Sequence, residues 1–164
     1  MIEHVSIPED RLTLLRKSSV WREKLKDFLN VDVDIKGDIV ISGDVLQVIR
    51  GKDIIIAFGR GFDFEESLDL LDEEYFLEVV NIGEFARKSI GRQVTLKGRV
   101  IGEGGVTKKM IEKYAGVKIA VYGKTVSVIG KPQNIRIAMN AVEMILSGSK
   151  HNSVYRFLQE NKVV

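Results

Sequence analysis

The chain repeats itself. Setting Val20 beside Val106, an offset of 86, brings Arg22 onto Lys108, Leu25 onto Ile111 and Phe28 onto Tyr114. Val31, Val33 and Ile35 then meet Val117, Ile119 and Val121. One inserted residue later, IVISG (39–43) meets VSVIG (126–130). Identities are few, but the apolar positions coincide, and self-similarity at a fixed offset is the mark of a duplicated structural unit. The 164 residues are enough for two small domains, so one plan must be folded twice.

That plan can be read from either copy. In the second, YFLEVVNI (75–82) is rich in β-formers and predicts a strand. Residues 84–101 predict helix, in two pieces broken near Gly91. After a glycine loop, Val106, Met110, Ile111 and Tyr114 recur on one face of a helix, and Gly116 is placed to cap it. Val117, Ile119 and Val121 alternate, as do Val126 and Val128, predicting two strands joined by a turn in YGKT (122–125). Pro132 suits the first turn of a last helix, whose apolar stripe includes Ile135, Ala138, Met139, Val142, Ile145 and Leu146.

The first copy follows suit. IEHVSI (2–7) is a strand, Pro8 opens a helix, and Glu9 and Asp10 sit in its first turn, where the helix dipole favours them. Helix over 20–29, strands over 31–35 and 38–42, and helix near 44–59 complete it. The order in both is β-α-α-β-β-α, an α+β domain with a three-stranded antiparallel sheet backed by three helices. The expected divisions are a first domain over 1–72, a second over 73–148 and a helical tail over 149–164. An acidic segment (63–74) serves as a short helical connector that docks through Leu68, Leu70 and Leu71.

Charge is segregated. Phe62 to Glu78 carries eight acidic residues and no basic one, while Arg87 to Lys124 carries ten basic and two acidic. Within the basic stretch lies VIGEGGVTKK, with Gly102, Gly104 and Gly105 between two helices and Lys108 and Lys109 just beyond. Glycine lets a backbone take positive φ and lie against a ligand. A helix N-terminus then offers free N–H groups to a phosphate. The pattern calls for a polyanion whose sugar-phosphate chain is clamped at the loop and whose bases lie over the neighbouring strand.

The loop, the helix VTKKMIEKYAGVKI and the run TVSVIG before a long helix resemble the KH domain, which binds single-stranded RNA or DNA. The element order is that of the eukaryotic-type (type I) KH domain. A tandem pair with a degenerate first copy, closed by HNSVYRFLQE (151–160), resembles archaeal relatives of the Partner-of-Nob and Krr proteins. That resemblance implies a cytoplasmic factor in small-subunit ribosomal RNA processing, with no cofactor and no catalysis. It implies single-stranded RNA, the small-subunit rRNA, as ligand of the second domain. A Nob-type endonuclease or another translation or assembly protein is the implied partner of the first. The residues expected to touch RNA are Arg99, Ile101, Gly102, Glu103, Gly104, Gly105, Lys108, Lys109, Lys113 and Ile119.

Two features depart from the KH pattern. The variable loop positions are Glu103 and Gly104, without the usual basic residue. The first copy has Arg16-Lys17-Ser18-Ser19 where glycines belong, so Cβ atoms block close approach. A scaffold with structural KH folds is therefore the alternative reading. Other motifs give way to simpler explanations. GKT at 123–125 lacks the P-loop glycine, since position 118 is Lys. The carboxylates at 69–74 have no EF-hand spacing. His4 and His151 are lone residues at the two ends, GRGF (59–62) reads as a helix cap, and Trp21 as packing at a domain interface. Cysteine is absent, which removes disulfides and thiolate metal sites. No apolar run approaches the ~20 residues of a membrane span.

Overall fold

The computed structural model describes residues 1–163. The chain divides into two compact units, the first ending at Glu73 and the second beginning at Glu74.

In the first unit, β1 (Ile2–Val5), α1 (Glu9–Arg16), α2 (Val20–Leu29), β2 (Asp32–Lys36), β3 (Asp38–Ser42) and α3 (Val45–Gly59) follow in that order. The central β3 pairs antiparallel with β1, from Ile2↔Ser42 to Val5↔Ile39, and with β2, from Asp32↔Ser42 to Lys36↔Asp38. Ile39 and Ile41 of β3 are buried with Leu12, Leu25, Val48 and Ile55 of the helices. Trp21 is buried in this core, and its indole N–H donates to the Leu15 carbonyl at 2.8 Å. It closes the α1–α2 corner rather than reaching out as interface packing.

The acidic segment is the tail of this unit. Asp63 and Glu66 form a reciprocal capping box over α4 (Phe64–Ser67), and a 3₁₀ turn (Leu68–Leu71) follows with Leu70 buried. Carboxylates gather here because a helix start accepts them.

The second unit contains β4 (Phe76–Asn81), α5 (Ile82–Phe85), α6 (Ile90–Ile101), α7 (Val106–Ala115), β5 (Lys118–Tyr122), β6 (Thr125–Gly130), α8 (Pro132–Leu146) and α9 (His151–Glu160). Its sheet has the order β4-β6-β5, again antiparallel, as β1-β3-β2 is in the first. Val126 and Val128 face a core of Leu96, Val100, Ile111, Ile135, Ala138 and Val142. Val154 and Leu158 of α9 are fully buried in the same core.

The repeat survives element by element. Helices α2 and α7 each have ten residues and start 86 apart, and α3 and α8 each have fifteen and start 87 apart. The extra residue falls in the turn before β6, where Gly123-Lys124 replaces the single Gly37. Left-handed residues cap α2 and α7 at matching places, Asn30 (φ 53°) and Gly116 (φ 67°). In each unit an arginine also clamps the C-terminal end of the fifteen-residue helix, α1 supplying it to α3 and α6 to α8. Arg11 donates to the carbonyls of Phe58 (2.9 Å) and Phe62 (2.6 Å), and Arg99 to those of Ile145 (2.9 Å) and Ser149. Basic side chains at a helix C-terminus satisfy its orphan carbonyls in this way.

The break in the 84–101 helix lies earlier than expected. Arg87 (φ 49°) and Lys88 (φ 64°) turn left-handed, and Ser89 caps α6 by accepting from the Arg92 N–H. Gly91 stays inside the first turn.

Candidate nucleic-acid interface

The loop between α6 and α7 owes its shape to its glycines. Gly102 (φ 76°, ψ 169°) lies in a region essentially reserved for glycine. A Cβ there would meet Thr107, at 2.7 Å from its Cβ and 2.8 Å from its backbone nitrogen. Gly102 therefore packs the corner. Gly104 (φ 62°) and Gly105 (φ 78°) are also left-handed, but space is open around them: nothing lies within 4 Å of a Cβ at Gly104, and only Lys109 Cε at 4.0 Å near one at Gly105. These two glycines expose bare backbone at the start of α7, where the first N–H groups lack helical partners.

Lys109 and Lys113 are exposed one turn apart along α7. Lys108 is half-buried and sits 4.0 Å from Glu112, whose other carboxylate oxygen accepts from the Ile119 N–H at 3.0 Å. Glu112 thus tempers Lys108 and leaves Lys109 as the less encumbered cation. Glu103 is exposed at the loop tip.

Two of the expected contact residues are engaged elsewhere. Arg99 turns back to the Ile145 and Ser149 carbonyls, and its own carbonyl is bonded by His151 Nε2 at 2.9 Å. Ile119 is 2% exposed and belongs to the core under the helices, so it offers no platform to a base. Strand alternation turns Ile119 inward along with Val117. Ile101 at the end of α6, Gly102, Glu103, Gly104 and Gly105 in the loop, and Lys108, Lys109 and Lys113 on α7 follow one another around this corner.

The pattern missed the outer face of α6. Ile90 and Val94 are 78% and 67% exposed, and Gly98 follows on the same face with nothing within 4 Å of a Cβ. The signal was available: Ile90 and Val94 recur at i, i+4, but off the register of the buried Leu96 and Val100.

Helix α9 braces the loop from below. Tyr155 Oη lies 2.8 Å from the buried Thr107 Oγ1, and the His151 ring stacks on Tyr155 at 6.1 Å. Tyr155→Phe leaves the Thr107 hydroxyl buried without this partner, which costs about 1–3 kcal/mol. Urea unfolding of this variant is expected to show a lower midpoint with an unchanged slope.

The first unit's corresponding corner is closed. Ser18 Oγ accepts from the Val20 N–H at 3.1 Å, and the Lys17 and Ser18 N–H groups donate to Leu14 and Leu15 carbonyls. None of Lys17, Ser18 and Ser19 has positive φ. No backbone is bared there as it is at Gly104 and Gly105.

Among the described residues no group of three or more His, Asp or Glu side chains is placed to hold a metal ion, and no helix is long and apolar enough to cross a membrane.

Residues 76–163 match the second KH domain of PNO1, a eukaryotic-type (type I) KH domain. KH domain-containing protein MJ0443 of Methanocaldococcus jannaschii is 39% identical, covering 98% of this chain and 74% of its own. The pre-rRNA-processing protein pno1 of Schizosaccharomyces pombe is 29% identical over 96% of this chain and 70% of its own. Among solved structures, the crystal structure of an a/eIF2alpha-aDim2p-rRNA complex from Pyrococcus horikoshii contains a chain that superposes with a TM-score of 0.89 at 34% identity, covering 98% of this chain and 93% of that one. The duplicated plan, the bare glycine loop and these likenesses agree: the chain belongs to the PNO1-like family of KH-domain proteins.

Proposed function

We propose that the protein is a pre-rRNA-processing and small-subunit assembly factor, with two tandem KH domains, that grips single-stranded RNA through the second. The observation that carries this reading is the open, left-handed Gly104-Gly105 backbone at the start of α7, flanked by Lys109. Such a loop clamps about four nucleotides. The pno1 relatives of Schizosaccharomyces pombe and Chaetomium thermophilum are pre-rRNA-processing proteins, and the aDim2p neighbour was crystallised with rRNA. The protein is not an enzyme in this reading, and it works in the cytoplasm.

The first unit, with its corner closed, takes a protein partner. The aDim2p complex also holds a/eIF2alpha, a translation protein of the class proposed here as that partner. A Nob-type endonuclease is a second partner of that class.

The test is to compare the two units on one single-stranded RNA. The fragment beginning at Glu74 should keep most of the affinity, and the fragment ending at Glu73 little. Equal affinities would overturn the assignment of RNA to the second unit. In the intact protein, Lys108→Ala with Lys109→Ala should lower the slope of log affinity against log salt by about 1.4, the share of two phosphate contacts on a single strand. A titration at several salt concentrations measures it.

A further inference from the structure

Helix α6 carries a feature that its own packing does not explain. Gly91 and Gly98 lie seven residues apart, with open space where each Cβ would be. Glycine weakens a helix relative to alanine, and neither position needs it for packing. Ile90, just before Gly91, and Val94, between the two glycines, are among the most exposed large apolar residues. The lane runs from the glycine loop to the far end of the helix, where Arg87 and Lys88 stand exposed in consecutive left-handed conformations. Left-handed backbone is unfavourable for residues with a Cβ, so this turn holds two cations at some cost.

We propose that this face of α6 carries single-stranded RNA beyond the nucleotides held by the loop, ending on Arg87 and Lys88. The inference rests on the RNA-binding reading and extends its site. From Gly98 to Ile90, where the helix begins, the rise is about 12 Å, room for about three nucleotides at the ~3.4 Å stacked spacing. Bare glycine backbone lets a strand lie close, Ile90 and Val94 offer apolar surface to base faces, and the terminal pair takes phosphates. The charge favours RNA over a protein: leaving out Arg99, whose guanidinium serves carbonyls, Ile82 to Ile101 holds four basic residues and one acidic, Glu84.

The experiment uses the full chain and fluorescein-labelled RNAs of randomised sequence, four and ten nucleotides long, in anisotropy titrations. The seven registers that a ten-mer offers a four-nucleotide site give about seven-fold by counting alone, and wild type should exceed this by about a further ten-fold, one added base contact of average strength. Arg87→Gly with Lys88→Gly relieves the left-handed strain, so the melting temperature should hold or rise. The ten-mer advantage should fall, its salt slope should drop by about 1.4, and four-mer affinity should stay unchanged. Ile90→Ser with Val94→Ser should also erode the ten-mer advantage, but with the salt slope intact. A wild-type ten-mer advantage no larger than the roughly seven-fold register count overturns the proposal, as does a charge variant with wild-type ten-mer affinity and slope. Either result leaves the loop reading standing and the α6 face to a protein partner. Failure of the wild type to bind either RNA overturns the loop reading and this extension with it.

Discussion

Replacing Gly105 by Asp is expected to abolish most RNA binding while the protein stays folded. The site has room for the new side chain, since the nearest atom to a Cβ is Lys109 Cε at 4.0 Å. The cost to the fold is the left-handed conformation, φ 78°, about 1–2 kcal/mol for a residue with a Cβ. Asp is among the residues that tolerate this region best, which puts it at the low end. The cost to binding is larger. The side chain fills the space where a sugar-phosphate chain must approach. Its carboxylate repels phosphate alongside Glu103 and can draw Lys109 into an ion pair. Losing one charge-assisted hydrogen bond alone costs about 1.5–3 kcal/mol, roughly ten- to hundred-fold in affinity. RNA titration with circular dichroism as the folding control decides it. A folded variant that binds RNA as tightly as wild type would show that the loop is not the site and would favour the scaffold reading.

Gly102→Ala should do the reverse and damage the fold first. Here the added Cβ meets the Thr107 Cβ at 2.7 Å and the Thr107 backbone nitrogen at 2.8 Å. Backbone cannot swing aside as a flexible side chain can. The φ of 76° with ψ of 169° adds about 1–3 kcal/mol of strain. Relief requires pushing α7 away from α6, which also strains the Thr107–Tyr155 contact. A loss of about 3 kcal/mol or more is expected, measured as a fall in urea midpoint. Gly98→Ala is the control, because its Cβ enters open space and alanine is the better helix former by about 1 kcal/mol. A Gly102→Ala protein as stable as wild type would contradict the packing described for this corner.

Periodicity made most of the fold legible, and the physical reason is the duplication. Each weak signal was present twice, so a doubtful strand such as 31–35 was supported by its partner at 117–121. What sequence could not give was direction within an element. Ile119 lies on the strand beside the loop, yet strand alternation turns it into the core with Val117. Arg99 counted toward the basic stretch, but its guanidinium serves two carbonyls 46 and 50 residues away. A formal charge says nothing about which way a long side chain folds. The α6 face was missed because exposed apolar residues are read as core by default, and only the burial of Leu96 and Val100 shows that Ile90 and Val94 point elsewhere. The helix break was assigned to Gly91, the usual suspect, whereas two non-glycine residues made it.

The paired arginine clamps bear on how variation in this chain should be interpreted. Arg11 and Arg99 each use a planar fork to hold two carbonyls at the C-terminal ends of α3 and α8, a task that lysine's single ammonium cannot reproduce. Substitution tables score Arg to Lys as mild. In a saturation-mutagenesis screen, both positions should reject lysine when the readout is abundance, and Arg99 also when it is RNA affinity. At Lys109 the tolerance is reversed: arginine is acceptable, and abundance is insensitive even where affinity falls. The cations around the glycine loop thus separate into those that hold the protein closed and those left to meet a partner, and abundance profiles alone can sort one set from the other.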